Sequence, residues 1–317
     1  MNWLDPLTGR TVAADAAAVL QDFRAAGGRS FHLYSVAEVR EKYELGCAKS
    51  GLSPDNLFDV SDHQIGQFGI RLYQPQATPG ATPVLLFFHG GGWIMGSLDT
   101  HDGLCRRLAT LTGLPVVAVD YRLAPEHRYP AAINDCRAAV QWLASNSLGH
   151  GVEVTGLVLV GDSAGGQLAA VLTNENASSP NPLPILGQVL IYPITDLTFS
   201  TPSYQRIREG FPLVADTMAW FANEYLPEGT DRAAPEVSPA FADLPPGLPP
   251  TYVLTVDNDP LADEGARYAA ALSQAGTAVT YLHLPGYAHG LFTSAGRIPR
   301  GEREIENIAA FIRELHW

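Results

Sequence analysis

The hexapeptide GDSAGG at 161–166 sets a single hydroxyl, Ser163, at a joint in the chain. Before it runs an apolar stretch, Leu157 to Val160; from Gln167 onward the residues are rich in Ala and Leu. The first reads as a buried strand and the second as a helix, with almost no room for a loop between them. A serine there must occupy a sharp strand-to-helix turn, and the flanking glycines let strand and helix pack without Cβ clashes. Such a turn pushes Oγ out at the carboxyl end of a sheet, where the first amides of the following helix favour developing negative charge. The chemistry that suits it is nucleophilic attack on a carbonyl. A serine hydroxyl does this poorly alone: it needs an imidazole to take its proton and a carboxylate to orient that imidazole.

Both partners have candidates further along. His289, in PGYAHGLF, falls in a turn-like loop after an apolar strand. His283 sits inside that strand pattern, and His316 is next to the C-terminus. For the acid, Asp257 and Asp259 of DNDPLADEG both follow the strand TYVLTV, and spacing alone leaves the two open. Asp196, after LIYP, is a further candidate; Asp263 and Glu264 read as first-turn helix acids facing the dipole. Attack on a carbonyl also builds an oxyanion. FFHGGGWIMGS supplies a glycine-rich loop after an apolar strand, and backbone N–H donors there are worth ~3–4 kcal/mol each to such a charge. Gly91, Gly92 and Ala164 are the expected donors. His89 reads as a loop anchor and not a second base. Trp93, Phe211 and Leu213 are candidate walls of an apolar slot.

These residues need a scaffold. After VLLFF (84–88), short apolar strands alternate with helices: strands at 115–120, 156–162, 187–193, 251–257 and 278–284, helices near 101–112, 130–146, 164–175, 261–275 and 301–315. Strands apolar on both faces, alternating with helices, predict a mostly parallel central sheet with helices on both faces. VSDHQI and IRLYQP are expected to be short antiparallel neighbours, TPGATP a loop, and residues 1–50 helical. The rhythm fails between Pro193 and Thr251, which reads as an insertion over one end of the sheet.

Composition narrows the classes. At 46% hydrophobic and 17% charged residues, the 317-residue chain is an ordinary globular one. A net charge of −13 without a basic stripe argues against nucleic acid and anionic membranes as partners. No apolar run reaches the ~18 residues of a membrane span, and MNWLDPLTGR lacks the pattern of a signal peptide. Cys47, Cys105 and Cys136 are an odd count at wide spacings, expected as free thiols in a reducing, cytoplasmic compartment and with no metal-ligand spacing.

Five separated motifs, HGGGW (89–93), DYRLAPEHRYPAAINDC (120–136), GDSAGG (161–166), DPLADEG (259–265) and HGL (289–291), together resemble the hormone-sensitive-lipase family of α/β-hydrolases, the bacterial family IV carboxylesterases. The resemblance runs from about Val84 to the C-terminus, and more loosely over the first 50 residues. It implies an α/β-hydrolase fold with a helical cap, no cofactor and no metal. It also implies hydrolysis of short- to medium-chain acyl esters by Ser163, His289 and Asp259, which chooses between the two aspartates. Gly91, Gly92 and Ala164 match the family's oxyanion donors. The implied division is an N-terminal cap (1–50), a first core segment (51–196), a cap insertion (197–230) and a second core segment (231–317). Two departures are TVDND before the acid, which adds Asp257, and HGL where H-G-F is commoner. Arg122 and Glu126 are expected to hold the YRLAPEH loop together. The partner implied is a small-molecule ester, with a homodimer as one assembly state. An amidase, deacetylase or thioesterase would use the same groups, and a non-catalytic small-molecule receptor would be expected to lack a triad member, usually the histidine.

A histidine base is switched off by its own protonation, so activity is expected to fall on the acid side of neutrality. A pH–rate profile on any turned-over ester tests this, and a flat profile down to pH 4 contradicts it.

Overall fold

The computed structural model describes residues 3–77, 80–145, 148, 152–178 and 183–315. His316 lies outside them. In chain order, a two-stranded ribbon, β1 (Trp3–Leu4) and β2 (Thr11–Val12), precedes helices α1 (Ala17–Ala25) and α2 (Val36–Ser50). Strands β3 (Asp59–Ile65), β4 (Phe68–Gln74) and β5 (Gly80–Phe88) follow, then α3 (Asp102–Thr112), β6 (Val116–Asp120) and α4 (Ala131–Ser145). Next come β7 (Val152–Asp162), α5 (Ala164–Ser178), β8 (Ile185–Ile191), α6 (Ser203–Arg206) and α7 (Ala215–Tyr225). The chain closes with β9 (Thr251–Asn258), α8 (Ala262–Gln274), β10 (Val279–Ala288) and α9 (Pro299–Glu314).

The main sheet has eight strands in the order β10-β9-β8-β7-β5-β6-β4-β3. From β6 to β10 neighbours run parallel, while β4 is antiparallel to both β6 and β3. The first parallel strand, β5, has β6 on one side and β7 on the other, so the order reverses there. The crevice outside the carboxyl ends at such a reversal is where open α/β sheets bind ligands. Phe88 pairs with Gly161, so the loop leaving β5 emerges beside the turn that carries Ser163.

Alternation along each strand feeds two cores. Leu86, Phe88, Leu157 and Leu159 point to the face covered by α4, α5 and α8; Leu85, Phe87, Val158 and Val160 point to the face covered by α3 and α9. Each such buried side chain contributes about 1.5–3 kcal/mol. The expected alternation of strands and helices is present, as are the antiparallel β3–β4 pair and both N-terminal helices. TPGATP is corrected from Gly80 on: β5 begins there, because residues 80–82 pair with the first residues of β7, Gly80 opposite Val152, while Thr78 and Pro79 lie outside the described residues. The β1–β2 ribbon, two residues a side, is too short to leave a sequence pattern.

All three cysteines are unpaired and buried. Burial pushes the Cys47 thiol up to about 12 and raises the other two well above the ordinary range, which leaves them unreactive. Among the described residues, no helix is long and apolar enough to cross a membrane.

The tightest glycine contact among the described residues is at Gly165, where α5 passes the end of β5. A Cβ there would stand 1.9 Å from the carbonyl oxygen of Phe88, a backbone atom that cannot rotate away. Gly165→Ala is therefore expected to cost about 3 kcal/mol or more, lowering the melting temperature by at least ~5 °C. Gly46, inside α2 with nothing within 4 Å of its would-be Cβ, serves as the contrast. Gly46→Ala should leave the melting temperature level or raise it. Thermal unfolding followed by circular dichroism reads both.

Candidate active site

Ser163 has φ of +56°, a left-handed conformation that costs a non-glycine residue about 1–3 kcal/mol. Neighbouring backbone holds it there. Its N–H donates to the carbonyl of Ile191 at 2.9 Å, and its own carbonyl accepts from Ile194 and Gln167, each at 3.1 Å. A Cβ on Gly161 would meet the Gly165 carbonyl oxygen at 2.2 Å, so glycine is required on both sides of the turn.

His289 follows β10 and turns its Nε2 to Ser163 Oγ at 2.9 Å. Its Nδ1 lies 2.6 Å from Asp259 Oδ2, and Asp259 is fully buried. A carboxylate at Nδ1 fixes the tautomer with the proton on that nitrogen, leaving Nε2 free to accept the serine proton. The other carboxylate oxygen accepts the Leu261 N–H at 2.9 Å, which locks the acid in place. The ring of Tyr192 packs against the imidazole with centroids 4.4 Å apart.

The alternatives are engaged elsewhere. Asp257 pairs with Arg10 at 2.9 Å, and Asp196 accepts from Thr198 and Ser200. His283 stays in β10, bonded to Thr255. Asp263 accepts the Ser203 N–H and pairs with Arg206. Glu264 does more than face a helix dipole: it is buried and accepts the N–H groups of Thr195 and Asp196 and the hydroxyl of Tyr204. Burial pushes its carboxyl well above the usual range.

Gly91 and Gly92, at φ of +123° and +59°, border the same cavity as Ser163 and His289. A Cβ on Gly91 would lie 2.1 Å from the Met95 carbonyl oxygen, and one on Gly92 would lie 2.4 Å from the Phe221 ring. Ala164, as the first residue of α5, has no intrahelical acceptor for its N–H. Behind the loop, His89 anchors as expected. Its Nδ1–H donates to the Gly90 carbonyl at 2.8 Å, and its ring stacks on Tyr121. Burial, with His101 adding to it, pushes the His89 imidazole down to about 4, so it is neutral near pH 7.

Sequence reasoning missed Asp162, the variable residue inside the serine motif. Its Oδ1 accepts the Gly90 N–H at 2.7 Å and lies 3.1 Å from His101 Nε2, within ion-pair reach though not aligned as a hydrogen bond. Burial, the largest influence, works against its charge, but His101 together with His289 and His89 holds the carboxyl below the ordinary range. The signal available was its type: an acid next to the serine, at the end of a strand whose second half is buried throughout.

The cavity over Ser163 has a volume of about 370 Å³. Leu213 lines it as expected. Trp93 does not: it is fully buried, stacked on Tyr225 at 4.2 Å and donating from Nε1 to Gln167, so it belongs to the core under the loop. Phe211 lines a smaller side pocket of about 70 Å³ beside His289. The apolar walls that were missed, Phe31, Tyr34, Met95 and Phe221, come mostly from helices and loops whose sequence does not say which face looks inward. Arg122 grips Asp135 through paired hydrogen bonds, within its own segment, but Glu126 reaches out to Arg40 of α2.

A family model described as alpha/beta hydrolase fold matches residues 85–293. An ethyl acetate hydrolase from Pseudomonas putida is 38% identical over 95% of this chain and 98% of its own length. The carboxylic ester hydrolase LipN of Mycobacterium tuberculosis is 38% identical over 96% of this chain and 82% of its own. Among solved structures, a hyperthermophilic esterase from Pyrobaculum calidifontis superposes with a TM-score of 0.87 at 38% identity, covering 95% of this chain and 98% of that one. By sequence and by fold, the chain belongs to the hormone-sensitive-lipase-like family of α/β-hydrolases, the carboxylic ester hydrolases.

Proposed function

We propose that the protein is a serine esterase for short- to medium-chain acyl esters, acting through an acyl-enzyme on Ser163. The observation that carries this reading is the unbroken hydrogen-bond chain from Asp259 through His289 to Ser163, opening on a cavity of about 370 Å³. That volume sits at the small end of ligand pockets, which favours short acyl chains. The similarity to a relative named for ethyl acetate hydrolysis supports the same end of the range.

In the first half-reaction, His289 Nε2 takes the proton from Ser163 Oγ as the oxygen adds to the ester carbonyl. The N–H groups of Gly91, Gly92 and Ala164 receive the oxyanion. The imidazolium then protonates the departing alcohol. In the second half, water repeats the cycle against the acyl-enzyme and releases the acid. Asp259 remains ionised throughout and holds the imidazole in register. Segments 1–50 and 197–230 act together as a cap that supplies the apolar walls around the acyl chain.

Hydrolysis of p-nitrophenyl esters from C2 to C16 tests the reading. Turnover should peak at short chains, and Ser163→Ala should reduce it to the uncatalysed background. Absence of turnover on every chain length would refute it. Asp259→Asn keeps the shape of the site but favours the wrong tautomer, and kcat should drop roughly 10,000-fold with the fold intact. A loss smaller than about tenfold would remove Asp259 from the mechanism.

A further inference from the structure

The chain carries 33 acidic residues against 20 basic ones, and only two of the latter are lysines. Both, Lys42 and Lys49, lie on α2 and both line the cavity over Ser163. They are seven residues apart, two turns of helix, and so share one face. Arg29 and Arg297 border the same cavity, and the acids on its wall are Asp22 and the buried Asp162. A protein of net charge −13 has thus gathered cations around this one opening.

The four cations differ in their partners. Lys49 and Arg297 share Asp22, at 3.6 and 2.9 Å. Nearby Arg24 and Arg40 also have carboxylates, Asp5 and Glu126. Arg29 and Lys42 have none within ion-pair distance among the described residues. Instead both stand over the ring of Tyr34, 5.0 and 4.9 Å from its centroid. The carboxylate that feels both of them, Glu38, is turned to cap α2, accepting from the N–H and hydroxyl of Ser35. Both cations are exposed, so together they leave positive charge at the rim that an incoming anion would offset. The ring and the two cations together form a rim that matches a carboxylate on an apolar stem.

Taking the esterase reading as given, we infer that the preferred substrates are esters bearing an anionic group, such as a carboxylate, remote from the scissile carbonyl and received by Arg29 and Lys42. The reaction is unchanged: water cleaves the acyl–oxygen bond, and the distant anion only positions the substrate.

Two matched pairs of esters test this. Mono-4-nitrophenyl glutarate against 4-nitrophenyl pentanoate places the charge on the acyl side; 4-carboxyphenyl acetate against 4-carbamoylphenyl acetate places it on the alcohol side. In at least one pair, wild type at low ionic strength should favour the anionic member by threefold or more in kcat/KM. That ratio should fall about fivefold or more in Arg29→Gln/Lys42→Gln, chiefly through KM, and should also fall in 0.5 M NaCl. Because the readout is a ratio within one enzyme, a general loss of activity in the variant cancels. Preference for the neutral member in both pairs, or a ratio that the double substitution leaves unmoved, overturns the inference. Failure of wild type to hydrolyse any of the four esters instead overturns the esterase reading, and the inference falls with it.

Discussion

The fold turns on one backbone crossing. Strands β5 and β7 end side by side, and α5 must begin immediately after β7 while passing against the end of β5. The room for this is less than a methyl group: any Cβ at Gly165 would overlap the Phe88 carbonyl, and any Cβ at Gly161 the Gly165 carbonyl. Because strand and helix are pressed together here, the residue between them is forced to positive φ and its side chain projects away from the sheet. Ser163 is that residue. The hydroxyl bordering the cavity, the first amide of α5 without an intrahelical acceptor and the adjacency of the 89–92 loop all follow from the same contact. The local strain is held by cores on both faces of the sheet, which is why it can persist.

Around that crossing, buried carboxylates do the fastening. Asp162 holds the Gly90 N–H, Asp259 the Leu261 N–H, and Glu264 those of Thr195 and Asp196. Each grips a loop at the carboxyl end of the sheet, where ladder hydrogen bonds have run out. Burying an acid costs several kcal/mol unless its oxygens are satisfied, so each of these side chains tolerates very few loop positions. Their environments differ. The histidines around Asp162, His101 first among them, hold its carboxyl below the ordinary range against its burial, whereas Glu264 has no cation within ion-pair distance among the described residues and burial raises it.

Much of this was legible in the sequence, for a physical reason. Strands apolar on both faces, and glycines where backbone meets backbone, leave a mark that needs no partner to interpret. The parallel sheet, the serine turn and the glycine loop were read from those marks, and the structure brings Ser163, Asp259 and His289 together as the motifs implied. What stayed hidden depends on partners distant in the chain. Trp93 resembles a pocket wall because it is aromatic and next to the glycine loop, but its stacking partner, Tyr225, is more than a hundred residues away. Glu126 looked local and binds Arg40. The cavity walls on α1 and α2 were unreadable because α1 is short and α2 weakly patterned, with polar residues on faces that turn out to border the site.

Arg40 shows what the N-terminal helices contribute beyond covering the site. From α2 it donates to the carbonyl of Ile94, just past the glycine loop, and to that of Ala124, while pairing with Glu126. The helix whose outer residues Lys42 and Lys49 rim the cavity is therefore bonded to the segment that carries the proposed oxyanion donors. Those donors act only if they are aimed before charge develops, since reorienting them during the reaction would consume the energy they supply. A helix tied to both the cavity rim and the glycine loop makes the fit of the substrate and the aim of the amides one mechanical property. Changes on α2 that alter what the cavity accepts would then also alter how well the loop is held, which couples specificity to rate in this arrangement.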